Sequence, residues 1–144
     1  MIPGFFDPTQ EWPVPYVRAS LWLPEIEPRW VSIDFLLDTG AGTTSLHPVD
    51  SVVKVGIPAA DLIDPAKWDR HEDHGGIGGR ALYFVVPAFY AFLQSDGEWK
   101  RLQGEIRIAE LTIGNSRLPS LLGWDLLQHF RIAADWANRT ISLH

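Results

Sequence analysis

The hydrophobic positions of this chain fall mainly into short runs with strand character. Residues 16–23 (YVRASLWL) and 29–37 (RWVSIDFLL) are rich in β-branched and aromatic side chains and alternate in part between apolar and polar. The breaker stretch Pro24-Glu25-Ile26-Glu27-Pro28 separates them, which predicts two strands joined by a turn, with Asp38 at the end of the second. Residues 48–56 (PVDSVVKVG) open on proline, carry an early Asp and stop at Gly56, the pattern of a short helix. Residues 57–70 are proline-punctuated and mostly polar, and read as a loop or a weak second helix.

Four glycines then fall within five positions, Gly75, Gly76, Gly78 and Gly79 around Ile77. That density forbids a regular helix and predicts a hairpin tip with a long β run on its far side. The stretch SDGEW supplies the next turn, and residues 100–114 carry another strand. RLPSLLG reads as a short apolar strand ending in glycine, WDLLQHF as about two helical turns, and residues 131–144 as a closing hairpin. The sum is a mainly β chain with one or two short helices and no internal repeat. The first fifteen residues hold four of the eleven prolines, so residues 1–15 are expected to form an extended arm lying on the body or on a partner, and 16–144 the domain.

Composition narrows the function classes. At 144 residues and 46% hydrophobic content the chain suits a single globular domain with one real core. A formal charge of −6 with no block of Lys and Arg argues against nucleic acid or an acidic membrane surface as partner. There is no cysteine, hence no disulfide, thiol nucleophile or cysteine-bound metal. No apolar run approaches the roughly 18 residues of a membrane span, and the start lacks the basic and apolar regions of a signal peptide. A cytoplasmic location is the resulting expectation.

Chemistry enters at Asp38, where an apolar strand delivers a carboxylate into the small residues Thr39, Gly40, Ala41 and Gly42. A lone Asp at a strand end is ordinarily a turn or capping carboxylate. Three segments in order change that reading: LLDTGAGTT at 36–44, GGIGG at 75–79 and LLGWDLLQHF at 121–130. Together they resemble the active-site loop, the flap, and the strand plus helix of the retropepsin-like aspartic proteases, with the resemblance covering roughly residues 16–143.

The resemblance implies a closed barrel-like protomer, a glycine-rich flap hairpin and a homodimer in which each copy supplies one Asp-Thr-Gly. Only one such triplet occurs here, Asp38-Thr39-Gly40, so the second carboxylate must come from another chain. Hydrolysing an amide without a metal or covalent nucleophile needs a base for water and an acid for the carbonyl oxygen, and two carboxylates sharing one proton hold both roles. By the same resemblance Thr39 hydrogen-bonds across the twofold axis and Gly40 lets its backbone N–H approach the carboxylate. Gly75, Gly76, Ile77, Gly78 and Gly79 close over bound peptide, while Ala41, Leu121, Leu122 and Gly123 support the loop. Neither metal nor cofactor is implied. Ala41 has no hydroxyl where relatives with Ser or Thr aim one at the carboxylates, and the pH optimum is expected to be mildly acidic to near neutral.

This chain also departs from the viral members. Gly75 follows Asp38 by 37 positions, a longer spacing than theirs. Gly42 and Trp124 stand where viral enzymes commonly place an acid and an arginine that form an ion pair, so the form looks more like the cellular and bacterial branch. Within DRHEDH, Asp69, His71, Asp73 and His74 are metal-capable, but a solvated shoulder is the preferred reading because no HExxH spacing or second cluster accompanies them. Ser45 and His47 lack the GxSxG setting of a nucleophile elbow. Trp30, Trp124 and Trp136 are expected in the core or an interface, and Trp68 and Trp99 are candidates for a cleft wall. The expected activity is therefore a homodimeric aspartic endopeptidase acting on peptide or protein. The alternative is a retropepsin-like peptide-binding or assembly module that no longer cleaves.

Overall fold

A computed structural model of the chain describes every residue except Gln10, Trp12, Ile77 and Gly78. The architecture is mainly β, with a few short helical turns. Strands β1 (Ile2–Pro3) and β2 (Phe5–Phe6) come first, followed by the pair β3 (Pro15–Trp22) and β4 (Val31–Leu37). In β3 the residues Val17, Ala19 and Leu21 point inward, and in β4 Val31, Ile33 and Phe35 do so. The antiparallel register sets these against each other as Val17↔Phe35, Ala19↔Ile33 and Leu21↔Val31. Period-two alternation thus becomes one buried and one solvated face. On the outer face Arg18 lies opposite Asp34, and their side chains pair at 2.7 Å.

Strand β5 (Ser45–Leu46) leads into a short α-helical turn, α1 (Pro48–Asp50), that continues as a π-helical stretch over Ser51–Val55. Gly56 ends it with φ +88°, a left-handed conformation that favours glycine. Two 3₁₀ turns, Ala59–Ile63 and Pro65–Lys67, follow where a loop or weak helix was expected. The hairpin of β6 (His71–Gly76) and β7 (Gly79–Leu93) comes next, and β7 then pairs with β8 (Trp99–Ala109) from Tyr83↔Ala109 to Leu93↔Trp99. Pro87 interrupts β7 without breaking the sheet. It lies between the segment paired with β6, which ends at Phe84, and the segment paired with β3, which begins at Phe89. A residue without an N–H is tolerated where one side of the strand has no neighbour.

The chain closes with β9 (Leu121–Leu122), α2 (Trp124–Leu127), β10 (Ile132–Asp135) and β11 (Thr140–Leu143). Helix α2 is one turn, shorter than the two read from WDLLQHF, because Gln128 to Phe130 continue as turn. The larger sheet runs β2-β3-β4-β9-β5-β8-β7-β6, and the C-terminal end of β3 also pairs with β7 through Ser20↔Ala91, Leu21↔Tyr90 and Trp22↔Phe89. A smaller sheet runs β1-β11-β10. Within the expected arm, Ile2 is therefore part of the core and pairs with Leu143 of the same chain. Phe35, Phe84, Tyr90, Phe92, Ile106 and Ile108 fill the middle of that core. The hydroxyl of the buried Tyr90 donates to the Glu105 carbonyl at 2.8 Å.

One feature of the topology positions the site. Strands β4 and β5 are consecutive in sequence, yet β9 lies between them, parallel to β4 and antiparallel to β5. The connection at residues 38–44 must cross the end of β9, and Asp38 to Thr44 are drawn against Gly123 to Asp125.

Candidate active site

Asp38 leaves β4 with its backbone N–H still in the sheet, donating to the Leu122 carbonyl at 3.1 Å. The chain then turns. The Gly40 N–H donates to the Asp38 carboxylate at 2.8 Å, and the Ala41 N–H to the Asp38 carbonyl at 3.2 Å. A Cβ on Gly40 would come within 3.2 Å of that carboxylate oxygen, so glycine permits the close backbone approach. Asp38 is half-buried, whereas Thr39 and Gly40 are exposed.

The far side of the loop is tied to the start of α2. The Trp124 and Asp125 N–H groups donate to the carbonyls of Ala41 (2.9 Å) and Gly42 (3.1 Å). The Asp125 carboxylate accepts from the Thr44 N–H at 3.0 Å and from its hydroxyl at 2.7 Å, and the same hydroxyl accepts from the Gly123 N–H at 3.1 Å. Gly123 lies so close to the loop that a Cβ there would be 2.4 Å from the Thr43 carbonyl carbon and oxygen. The Trp124 indole N–H reaches over the loop to the Thr39 carbonyl at 2.6 Å. Gly42, through its carbonyl, and Trp124, through its backbone and indole N–H groups, thus each hold the loop.

Thr44, Asp125 and the indole of Trp124 were not singled out as functional from sequence. An acid in the first turn of a short helix after apolar-apolar-Gly was the available signal, since such an acid readily accepts backbone N–H groups. Its partner across the sheet, Thr44, had no local signal at all.

A small cleft of about 150 Å³ opens beside the loop. Ala41, Gly42, Thr43, Ser45 and Leu121 line it. His74 and Tyr83, from the two strands of the β6–β7 hairpin, complete it. The hairpin therefore brings the residues just before GGIGG to the Asp-Thr-Gly loop. Gly75 pairs with Arg80 and Gly76 with Gly79, while Ile77 and Gly78 lie outside the described residues. Larger hollows exist, including one of about 440 Å³ beside Trp68 and Val86, but that hollow shares no residue with this cleft.

The polar residues of DRHEDH engage neighbours individually. Glu72 accepts from Arg107 through two contacts of 3.3 Å and is 2.7 Å from His74 Nε2; Asp73 pairs with Arg80. Arg107, and then His74, hold the Glu72 carboxyl below the usual glutamate range. Among the described residues no three His, Asp or Glu side chains converge as a metal site. Ser45 and His47 are both buried. The His47 ring donates from Nδ1 to the Pro119 carbonyl at 2.7 Å, a bond in which Ser45 has no part.

The tryptophan expectation needs correction for the core. Trp30, Trp124 and Trp136 are 44%, 44% and 53% exposed, because they flank strands or open a helix instead of lying on an inward face. Trp68 stacks on Phe84 with ring centroids 4.8 Å apart, and Trp99 lines a hollow with Trp30 and Arg101. Compared with protein-family models and with curated protein sequences, the chain matches none.

Proposed function

We propose that the chain is an aspartic endopeptidase of the retropepsin-like kind, active as a homodimer in which Asp38 of each copy contributes one carboxylate. The observation that carries the reading is the loop at 38–44. A half-buried carboxylate sits on a turn whose backbone is tied down from both sides, and the residues that follow it, Ala41 to Thr43, line a cleft together with His74 and Tyr83 of the β6–β7 hairpin. Rigid placement of a reacting group is what catalysis by positioning needs. The ladder from β3 through β4, β9, β5, β8 and β7 returns to β3, and this ring of pairings supports a closed barrel.

In the proposed mechanism the two Asp38 carboxylates share one proton. The ionised member takes a proton from the attacking water while the other protonates the peptide carbonyl oxygen, forming a tetrahedral diol. Proton return to the leaving nitrogen then breaks the C–N bond. The Gly40 N–H already bonded to Asp38 helps keep that carboxylate in place.

Thr39 is exposed and Trp124, whose indole bonds the Thr39 carbonyl, is 44% exposed, which supports this face as the one that meets a second copy. Strand β11 lies between β1 and β10, so its two edges are already paired within the chain. Within this smaller sheet a partner strand would meet the outer edge of β1 or β10 unless strands exchange.

The test compares wild type with Asp38→Asn on a peptide library, with the mass of each measured in solution. Wild-type cleavage lost in a variant that is equally folded and equally dimeric is the expected result. Full activity in the variant would remove the dyad, and a folded dimer that binds peptides without cleaving any would favour the assembly-module reading.

A further inference from the structure

The cleft beside the loop at 38–44 is lined by one basic side chain, and the endopeptidase reading gives it no role. That side chain is His74. Its neighbours in the lining, Ala41, Gly42, Thr43, Ser45 and Leu121, are neither acids nor bases, and burial pushes the Tyr83 phenol above its ordinary value. Tyr83 meets the imidazole edge-on, with ring centroids 5.4 Å apart at 87°.

A strap of charges fixes how His74 is presented. Its Nε2 lies 2.7 Å from Glu72, and Arg107 of β8 grips the same carboxylate through Nε and a terminal nitrogen at 3.3 Å each. Arg107 is only 15% exposed, and its other acidic neighbour, Glu105 at 4.0 Å, is also paired with Arg70. Glu72 and Arg107 offset each other, so the charge of the group follows the proton on His74. The Glu72 carboxylate can only accept, which places a hydrogen on Nε2 and leaves Nδ1 as the second polar atom of the ring. When His74 is protonated, Nδ1 becomes a donor and the cleft wall carries a net positive charge.

We propose that His74, positioned by Glu72 and Arg107, is a specificity-determining residue that selects peptides carrying an acidic side chain where the chain passes beneath the β6–β7 hairpin. The inference rests on the endopeptidase reading for its substrate, and it deepens that reading by naming a substrate class. Thr43 and Ser45, which line the same cleft, each carry a hydroxyl that can serve as a neutral donor. A carboxylate there gains a charge-assisted hydrogen bond that the isosteric amide lacks.

Binding tests this without requiring turnover. Fluorescent octapeptide libraries, with Glu or Gln scanned through each position, are titrated against Asp38→Asn protein at pH 5.5. At one position Glu should bind about tenfold more tightly than Gln. Adding His74→Gln should abolish the difference, whereas adding Glu72→Gln, which leaves both cations, should preserve or enlarge it at pH 5.5. Equal binding of Glu and Gln at every position, a preference that survives His74→Gln, or no binding by any library overturns the proposal. Wild-type cleavage of the same libraries tests the endopeptidase separately. Acidic preference without cleavage would remove the protease and keep the subsite, and cleavage without preference would do the reverse.

Discussion

The indole N–H of Trp124 donates to the backbone carbonyl of Thr39 at 2.6 Å, joining residues 85 positions apart across the Asp-Thr-Gly loop. Because Thr39 immediately follows Asp38, this bond limits the angle at which the carboxylate is presented. Trp124→Phe keeps an aromatic ring and removes the donor. Thr39 is exposed, so water can satisfy its carbonyl and stability should change by no more than about 1 kcal/mol. In steady-state peptide hydrolysis, kcat should fall about tenfold with KM little altered, the mark of a positioning residue. An unchanged kcat would show that the loop is held well enough without the indole.

Gly123 makes a demand that is steric. An alanine Cβ would sit 2.4 Å from the Thr43 backbone, and a backbone atom cannot swing aside as a side-chain tip can. Gly123→Ala should therefore cost about 3 kcal/mol in urea denaturation. A loss below about 0.5 kcal/mol would mean that the loop at 38–44 shifts freely, contrary to its hydrogen bonding.

Thr44→Val replaces a fully buried hydroxyl with a methyl of similar size, breaking the bonds to Asp125 and from Gly123. Stranding the Gly123 N–H and leaving Asp125 Oδ1 with the Leu126 N–H alone should cost about 2 kcal/mol. A double-mutant cycle with Asp125→Asn should show coupling, since both residues belong to one network.

Stability should depend on pH through His47. Burial lowers its pKa below histidine's ordinary value of about 6.5, with the Pro119 carbonyl and Asp50 opposing in part. As pH falls through 6.5 the unfolded chain takes up a proton that the folded chain refuses, so stability is full above that value and declines below it until His47 itself protonates. Melting should be lower at pH 5.5 than at pH 7.5, and His47→Gln, which retains a donor for Pro119, should flatten this part of the profile. Glu72 acts in a separate window. Its carboxyl is depressed, so its contribution is present above the usual glutamate range and is lost as pH falls through the lower folded value.

The proposed dyad, with one carboxylate from each of two copies, would make activity depend on concentration. Specific activity should fall on dilution below the dimer dissociation constant and recover on concentration. Constant specific activity down to a concentration at which sedimentation shows only monomer would exclude a dyad built from two copies.

Local pattern determined much of the mainly β character. The alternation at 16–23 and 29–37 and the Pro24 to Pro28 breaker encode the β3–β4 pair, because side chains on a strand must sort between two faces whatever the rest of the chain does. The glycine cluster and the long apolar run after it likewise encode the β6–β7 hairpin. Gly56 marked a helix end because few other residues adopt φ +88° without strain. The order of LLDTGAGTT, GGIGG and LLGWDLLQHF also identified Asp38 and Gly123 as positions to watch. Tertiary structure decided everything that depends on crossing distance. Only the insertion of β9 between β4 and β5 puts Thr44 against Asp125 and Trp124 against Thr39, pairs about eighty residues apart with no periodicity linking them. Only the tertiary placement of the β6–β7 hairpin sets His74 in the cleft with Ala41, and only the pairing of β7 with both β6 and β8 brings Glu72 within reach of Arg107. Hydrophobic pattern records which face of a strand is buried, whereas hydrogen bonds and ion pairs between distant segments depend on how those strands are stacked and threaded, and that information is not local.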